Sequence, residues 1–177
     1  IVDTVEYKGL EVGREYTMTG TLVDKETSEA ITDAEGNEIT TSEIFVAEEK
    51  DGSIDITFKF DASALAGKSL VAFETLYTEG KEVAIHADLE DEGQTIRIPE
   101  IHTTATDKVT GDHDGVVAKE TTVLDEVFYK NLIPGKEYTV KGTLMVKETG
   151  EALVINGEAV TAEKTFTAEE PDGSIIL

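Results

Sequence analysis

The chain has 177 residues, 39% of them hydrophobic, so it holds enough apolar side chains for one large or two small β-domains. Its 38 acidic residues outnumber 15 basic ones, and the net charge of -23 disfavours nucleic acid and anionic membranes as partners. Cysteine is absent, which excludes disulfides and thiolate chemistry, and no apolar run is long enough to span a membrane.

The first predicted elements belong to a segment that returns later in the chain. Residues 2–30, VDTVEYKGLEVGREYTMTGTLVDKETSEA, correspond to residues 124–152, LDEVFYKNLIPGKEYTVKGTLMVKETGEA, at an offset of 122 residues. Such an offset is too long for a solenoid unit and is typical of whole domains in tandem. We therefore predict two copies of one domain, at residues 1–100 and 101–177, both truncated.

The local patterns in each copy are those of β-strands. Leu10, Gly13 and Tyr16 have the spacing of the tyrosine corner of Greek-key sandwiches, and the second copy repeats it. Residues 54–60, IDITFKF, alternate as a half-buried strand does, whereas residues 69–77, SLVAFETLY, are apolar on both faces like a central strand. These features predict an all-β fold of tandem immunoglobulin-like β-sandwiches.

Several polar side chains fall on faces that the alternation assigns to the core. Asp3 and its counterpart Asp125 lie on apolar strand faces, and so does Glu74 in the predicted central strand. Gln94 heads a short predicted strand and points inward, and Thr103 points inward from the next one. Each such group would cost about 1–3 kcal/mol if it were buried without a partner. We therefore expect these groups to bond one another or to react.

Ordinary structural roles stay open for the same residues. A core threonine or glutamine can be satisfied by the backbone, and an aspartate can cap a turn. His86 can be a surface residue or half of a weak metal site. The DHDG segment at residues 112–115 resembles a calcium loop only faintly and is better interpreted as a solvated turn. We expect neither a metal nor a cofactor.

Specific motifs in both copies carry a family resemblance. They are IHTTATDK at the start of the second copy, YKGL, IPGKEYTVKGTL, FDASALAGKSLVAFE and, near the end of the first copy, HADLEDEGQT. Together they resemble the Thr-Gln intramolecular ester-bond domain, also called the VaFE repeat, of Gram-positive bacterial surface adhesins. The resemblance covers essentially the whole chain. It implies an immunoglobulin-like stalk domain in which a Thr of the first strand and a Gln of the last form an ester.

The resemblance also implies roles for individual residues at the matching positions. They are Thr103 as nucleophile, Gln94 as electrophile, Glu74 as acidic partner with Asp61 as its alternative, Asp3 and Asp125 as second acids, and His86 with Asp91 in proton transfer. Two carboxyl groups placed close together share a proton, and the protonated one can polarise the amide carbonyl. We hypothesise that Asp3 and Glu74 form this pair.

The register of the two copies affects which groups can meet. Thr103 begins the copy that follows Gln94, so we expect the natural partners of both residues outside this stretch of chain. The strand of Thr103 could complete the first copy of a neighbouring molecule. We expect neighbouring repeats of the same stalk as partners, no nucleic acid, no membrane insertion, and an extracellular, cell-wall-anchored location.

The expected function is a structural one, with a single autocatalytic cross-link and no enzymatic turnover. The alternative is a ligand-binding adhesin sandwich whose buried polar residues are purely structural. That alternative is disfavoured because the sequence shows no platform of exposed aromatic residues. A hydrolase built on His86 would lack a second histidine nearby or an activated serine.

Overall fold

The computed structural model describes all 177 residues and divides into two compact units, Ile1–Ile98 and Pro99–Leu177. Both consist of β-strands joined by turns, and the one helical element is a 3₁₀ turn at Glu92–Gln94. The structure contains no helix that could cross a membrane. The predicted all-β class is confirmed.

Unit 1 contains seven strands in two sheets. In chain order they are β1 (Val2–Tyr7), β2 (Glu15–Asp24), β3 (Thr40–Val46), β4 (Gly52–Thr57), β5 (Ser69–Thr78), β6 (Lys81–His86) and β7 (Thr95–Arg97). One sheet pairs β1 with β4, and the other has the order β3-β2-β5-β6, with β7 also on β5. All pairings are antiparallel. The long segment SLVAFETLY is therefore a central strand, as predicted.

The core of unit 1 lies between its two sheets. Ile56 and Phe58, at the end of the β4 segment, pack in one buried cluster with Met18 and Leu22 of β2 and Leu70 of β5. Alternation produces this cluster, because every second side chain of a strand points to the same face. The cluster fixes how the sheet of β1 faces the sheet of β5.

The β4 strand is shorter than the alternating pattern predicts. It ends at Thr57, although Phe58 keeps two backbone bonds to Ile1. Its N–H donates to the carbonyl oxygen of Ile1 at 2.9 Å, and its carbonyl oxygen accepts from the amino group of Ile1 at 3.0 Å. The ladder with β1 ends at the pair of Val2 with Thr57. The inward direction of Ile56 and Phe58 is nevertheless as predicted, since both are buried.

The predicted tyrosine corners are confirmed in both units. The hydroxyl oxygen of Tyr16 accepts a hydrogen bond from the backbone N–H of Glu11 at 3.0 Å. In unit 2, Tyr138 accepts the corresponding bond from Ile133, also at 3.0 Å. Each corner pins the turn before its strand, as in other Greek-key sandwiches.

Unit 2 contains nine strands. They are β8 (Glu100–Asp107), β9 (Val123–Lys130), β10 (Glu137–Thr143), β11 (Met145–Val146), β12 (Glu151–Ala152), β13 (Val154–Ile155), β14 (Glu158–Ala159), β15 (Thr161–Thr167) and β16 (Gly173–Ile176). The pairing of β9 with β16 repeats that of β1 with β4, and β8 pairs with the other edge of β9. The remaining strands form hairpins and short pairs. The two units thus differ in whether the first strand of the repeat has a second neighbour.

Gly20 provides a test of the packing in unit 1. A Cβ atom there would lie 2.5 Å from Phe58 Cζ and 2.7 Å from Ile56 Cδ1, both in the buried core. We expect Gly20→Ala to lower the free energy of unfolding by about 1–3 kcal/mol, because the core has no space for the added methyl group. Thermal unfolding followed by circular dichroism measures the change.

The matched control is Gly142→Ala, at the counterpart position of unit 2. Its added Cβ would meet only the side chain of Leu177, which is half-buried and lies outside the core cluster of unit 1. A smaller shift is expected for this variant. Equal shifts for both variants would contradict the proposed packing.

Candidate functional site

Glu74 occupies the centre of the larger sheet of unit 1. It lies opposite Gly20 of β2 on one side and His86 of β6 on the other. Its side chain is 2% exposed, and its strand neighbours on the same face, Ala72 and Leu76, are buried as well. The prediction that this carboxyl group points into the core is confirmed.

His86 connects Glu74 to the turn that carries the predicted electrophile. Its Nδ1 lies 3.1 Å from Glu74 Oε2, and its Nε2 lies 3.3 Å from Asp91 Oδ2. Asp91 in turn caps the 3₁₀ turn, because its Oδ1 accepts the backbone N–H of Gly93 at 2.8 Å. A continuous chain of polar contacts therefore runs from the core to the turn of Gln94.

Asp3 is the second carboxyl group of this site. Its Oδ2 and Glu74 Oε1 are both buried and receive no hydrogen bond from an N–H or hydroxyl group. A proton on Glu74 resolves this deficit, because a protonated carboxyl can donate to its neighbour. Burial first, and then the hydrogen bond and charge of Asp3, raise the pKa of Glu74 to about 9. Glu74 is thus a neutral hydrogen-bond donor at neutral pH.

Gln94 differs from the prediction in its local structure. It lies at the end of the 3₁₀ turn, and β7 begins only at Thr95, so Gln94 is not a strand residue. Local bonds explain the difference, because Asp91 O accepts both the N–H of Gln94 at 3.2 Å and the hydroxyl of Thr95 at 2.8 Å. The Gln94 side chain is half-buried.

An ion-pair network holds this turn on its solvent side. The sequence did not reveal these contacts. Lys25 Nζ lies 2.9 Å from Glu92 Oε1 and 3.4 Å from the hydroxyl oxygen of Thr95, and Arg97 also binds Glu92. Arg97 first, and then Lys25, lower the pKa of Glu92 to about 2. No local pattern signals these contacts, because Lys25 lies 67 residues before Glu92.

Unit 2 holds two other predicted site residues, Thr103 and Asp125. Thr103 of β8 lies opposite Val127 of β9, and Ala105 lies opposite Asp125. Paired residues of antiparallel strands share a face, so Thr103 and Asp125 lie on the side where Val127 is buried. Thr103 itself is exposed, and one oxygen of Asp125, Oδ1, is buried without a donor.

The predicted residues therefore fall into two groups. The acid–amide half-site of unit 1 comprises Asp3, Glu74, His86, Asp91 and Gln94. The hydroxyl half-site of unit 2 comprises Thr103 and Asp125. Asp125 is the repeat counterpart of Asp3.

Asp61, the alternative acid, has a different place. It is exposed, and its Oδ1 accepts the backbone N–H of Ser63 at 2.9 Å. Hydrogen bonds from Ser63 lower the pKa of Asp61. The structure gives it the role of a turn cap. Asp112 has a similar role in the DHDG segment, where it accepts the N–H of Asp114 at 2.9 Å.

Comparisons with known proteins identify a family and a similar structure. A family model described as "T-Q ester bond containing domain" matches residues 1–98 and again 99–177. A solved structure of a bacterial adhesin from Mobiluncus mulieris, described as containing intramolecular disulfide, isopeptide and ester bond cross-links, is similar at 14% sequence identity. That similarity covers 99% of this chain and 87% of the adhesin chain, with a TM-score of 0.45. No match was found among curated proteins.

The raised pKa of Glu74 predicts a pH dependence of folding. Between the ordinary pKa of 4.5 and about 9, the folded chain holds a proton that the unfolded chain has lost. The free energy of unfolding should therefore fall as pH rises through this window, by up to about 1.4 kcal/mol per pH unit. Urea unfolding at pH 5, 7 and 9 measures the slope.

Glu74→Gln isolates the contribution of this group. Glutamine has nearly the shape of the protonated acid and cannot ionise. The pH dependence of the free energy of unfolding that is due to Glu74 should therefore disappear. The variant should unfold at higher urea than the parent chain at pH 9. Parallel slopes for both chains would contradict a proton on Glu74.

Proposed function

Because the chain belongs to the family of T-Q ester bond containing domains, we propose that it is a structural module of a surface-adhesin stalk. The module forms a Thr-to-Gln ester autocatalytically and releases ammonia. The observation that carries this proposal is the continuous contact from the buried Asp3–Glu74 pair through His86 and Asp91 to the turn of Gln94. A buried acid pair of this kind opposes folding. We therefore infer that it serves a chemical reaction.

The reaction joins two weakly reactive groups. The hydroxyl oxygen of a threonine attacks Gln94 Cδ, the C–O bond forms, the C–N bond breaks, and ammonia leaves with the hydroxyl proton. Protonated Glu74 is suited to stabilise the negative charge that develops on the amide oxygen, since it donates a hydrogen bond inside a dry core. Asp3, next to Glu74, is the base that accepts the hydroxyl proton.

His86 and Asp91 act on the leaving group in this proposal. Asp91 orients the imidazole through Nε2, and Glu74 contacts the opposite ring nitrogen, Nδ1. To pass a proton to the departing nitrogen, the imidazole would exchange its contact with Glu74 for one with that nitrogen. Packing of the threonine strand beside Gln94 supplies the proximity that the reaction needs, an effect worth up to about 7–11 kcal/mol of barrier. The reaction occurs once, without turnover.

An ester between the first and last strands of a domain has mechanical consequences. Tension applied along the stalk would pass through covalent bonds and leave the sheets intact. The cross-link would also restrict the unfolded chain as a disulfide does, which contributes roughly 2–4 kcal/mol. It would thereby stabilise an extracellular chain that contains no cysteine.

The proposed function also implies a cellular location and partners. The module would lie outside a Gram-positive cell, in a protein anchored to the cell wall, with neighbouring repeats of the same stalk as its partners. A second route to the bond is strand exchange between molecules, in which Thr103 of one chain reacts with Gln94 of another. Mass spectrometry separates the routes, because the second one joins two chains.

An extended chain tests the chemistry within one molecule. A copy of residues 99–122 placed directly before Ile1 would give unit 1 the strand and connection that precede Val123 in unit 2. We expect the purified protein to lack about 17 Da, the mass of one ammonia. Hydroxylamine should cleave the ester and open the cross-link, whereas reducing agents should leave it intact.

Two variants of the extended chain complete the test. Replacing the copied Thr103 by Val removes the nucleophile with little change in shape, so the full mass should remain. Glu74→Gln removes the titrating acid, and the bond should form at least about 10²-fold more slowly. An unchanged mass in the extended parent chain, once folded, would overturn the proposal.

A further inference from the structure

The hairpin of β13 and β14 in unit 2 turns on two residues, Asn156 and Gly157. Ile155 pairs with Glu158, so no other residue lies in the loop. Both turn residues have positive φ, 53° for Asn156 and 87° for Gly157, as a type I′ turn requires. Both are also exposed. The hairpin thus presents an asparagine amide to solvent, directly before a glycine.

This pair of residues can react within itself. The backbone nitrogen of Gly157 can attack Asn156 Cγ and close a five-membered imide, because Gly157 has no Cβ atom to obstruct the approach. The new C–N bond replaces the bond from Cγ to the side-chain nitrogen, which leaves as ammonia with the proton of the Gly157 N–H. Water then opens the imide at either carbonyl and produces aspartate or isoaspartate.

The attack requires rotation of Asn156, and a firmly paired hairpin would restrain it. Here each strand has only two residues. Val154 and Ile155 are 56% and 55% exposed, so pairing of the strands buries little apolar surface. A two-stranded hairpin of this kind is marginally stable in water. We therefore expect it to open often enough for the attack to occur.

The other two asparagines of the chain lie in different surroundings. Asn37 precedes Glu38, whose side chain obstructs the attacking nitrogen, and its Nδ2 donates to Asp33 Oδ1 at 3.3 Å and Asp33 Oδ2 at 3.1 Å. Asn131 precedes a leucine and is only 8% exposed. The asparagine of the β13–β14 turn alone combines a following glycine, exposure and a short hairpin.

From these observations we propose that Asn156 is a self-modification site, at which Gly157 forms an imide that water converts to aspartate or isoaspartate. The site is independent of the proposed ester, because it needs neither the threonine nor the acid pair. Isoaspartate adds a methylene group to the main chain, so the two-residue turn loses its geometry and the β13–β14 pairing should be lost. Either product adds negative charge to a chain whose net charge is -23.

The test is incubation of the full chain at pH 8, followed by digestion at acid pH and mass spectrometry of the peptides. The Asn156 peptide should gain about 1 Da in ordinary water and about 3 Da in water labelled with heavy oxygen, because an oxygen from water replaces the amide nitrogen. The peptides with Asn37 and Asn131 are internal controls and should keep their masses. An unchanged Asn156 peptide, or equal conversion of all three asparagines, overturns the inference.

Two variants separate the imide route from direct hydrolysis of the amide. Gly157→Ala places a Cβ atom beside the attacking nitrogen and should slow the conversion at least about tenfold. Alanine also strains a turn residue with φ of 87°, but opening of the turn would speed the reaction, so a slower rate reports the chemistry. Asn156→Gln would require a less favourable six-membered ring and should show no gain in mass. Conversion of Gly157→Ala at the parent rate overturns the imide.

A reversible cross-link tests the need for hairpin opening. Val154 and Ala159 face each other one pair beyond Ile155 and Glu158, at a position without mutual backbone bonds, where side chains approach closely. Replacing both by cysteine creates the only disulfide that the chain can form. Conversion of Asn156 should slow severalfold in the oxidised protein and recover after reduction. Equal rates in the two states overturn the role of opening.

The ester and the imide can fail separately, although each reaction releases ammonia. In the extended chain, Asn156→Gln should keep the deficit of about 17 Da that the ester causes. Replacing the copied Thr103 by Val should leave conversion of Asn156 unchanged. Hydroxylamine also distinguishes the two, because it cleaves the main chain at the imide into two fragments and leaves one uncut chain when it opens the ester.

Discussion

The chemistry proposed for unit 1 depends on one acid pair, the fully buried Glu74 and the half-buried Asp3. The two carboxyl groups come from opposite sheets, so they approach each other only when the sandwich has closed. Closure removes water from both, and the cost of two adjacent negative charges keeps a proton on Glu74. The same packing that forms the core thus produces an acid that is neutral at physiological pH.

The edge of the larger sheet shows how the electrophile is presented. β5 has two successive partners on one side, β6 along one half and β7 along the other, and the turn with Gln94 lies between them. A residue in this break is outside the ladder of backbone bonds. Asp91 holds the turn on the side of His86, and Lys25 with Glu92 holds it on the outer side.

Some of this organisation could be predicted from the sequence, and the reason is periodicity. The tyrosine corner, the central strand and the inward direction of Glu74 all follow from spacing along a few neighbouring residues. Alternation continues through Gln94 and so predicts a strand there, but the competing bonds of Asp91 and Thr95 form a turn. The alternation of polar and apolar residues gives no sign of such side-chain bonds to the backbone.

The sequence by itself determined the repeat, the all-β class and the set of residue types from which the site is drawn. Only the tertiary structure decided which of these residues meet. It joined Asp3 to Glu74 across the sheets and placed Asp61 in an exposed turn. The physical reason is that desolvation and pairing between distant strands depend on the closed fold, whereas alternation and turn chemistry act within a few residues.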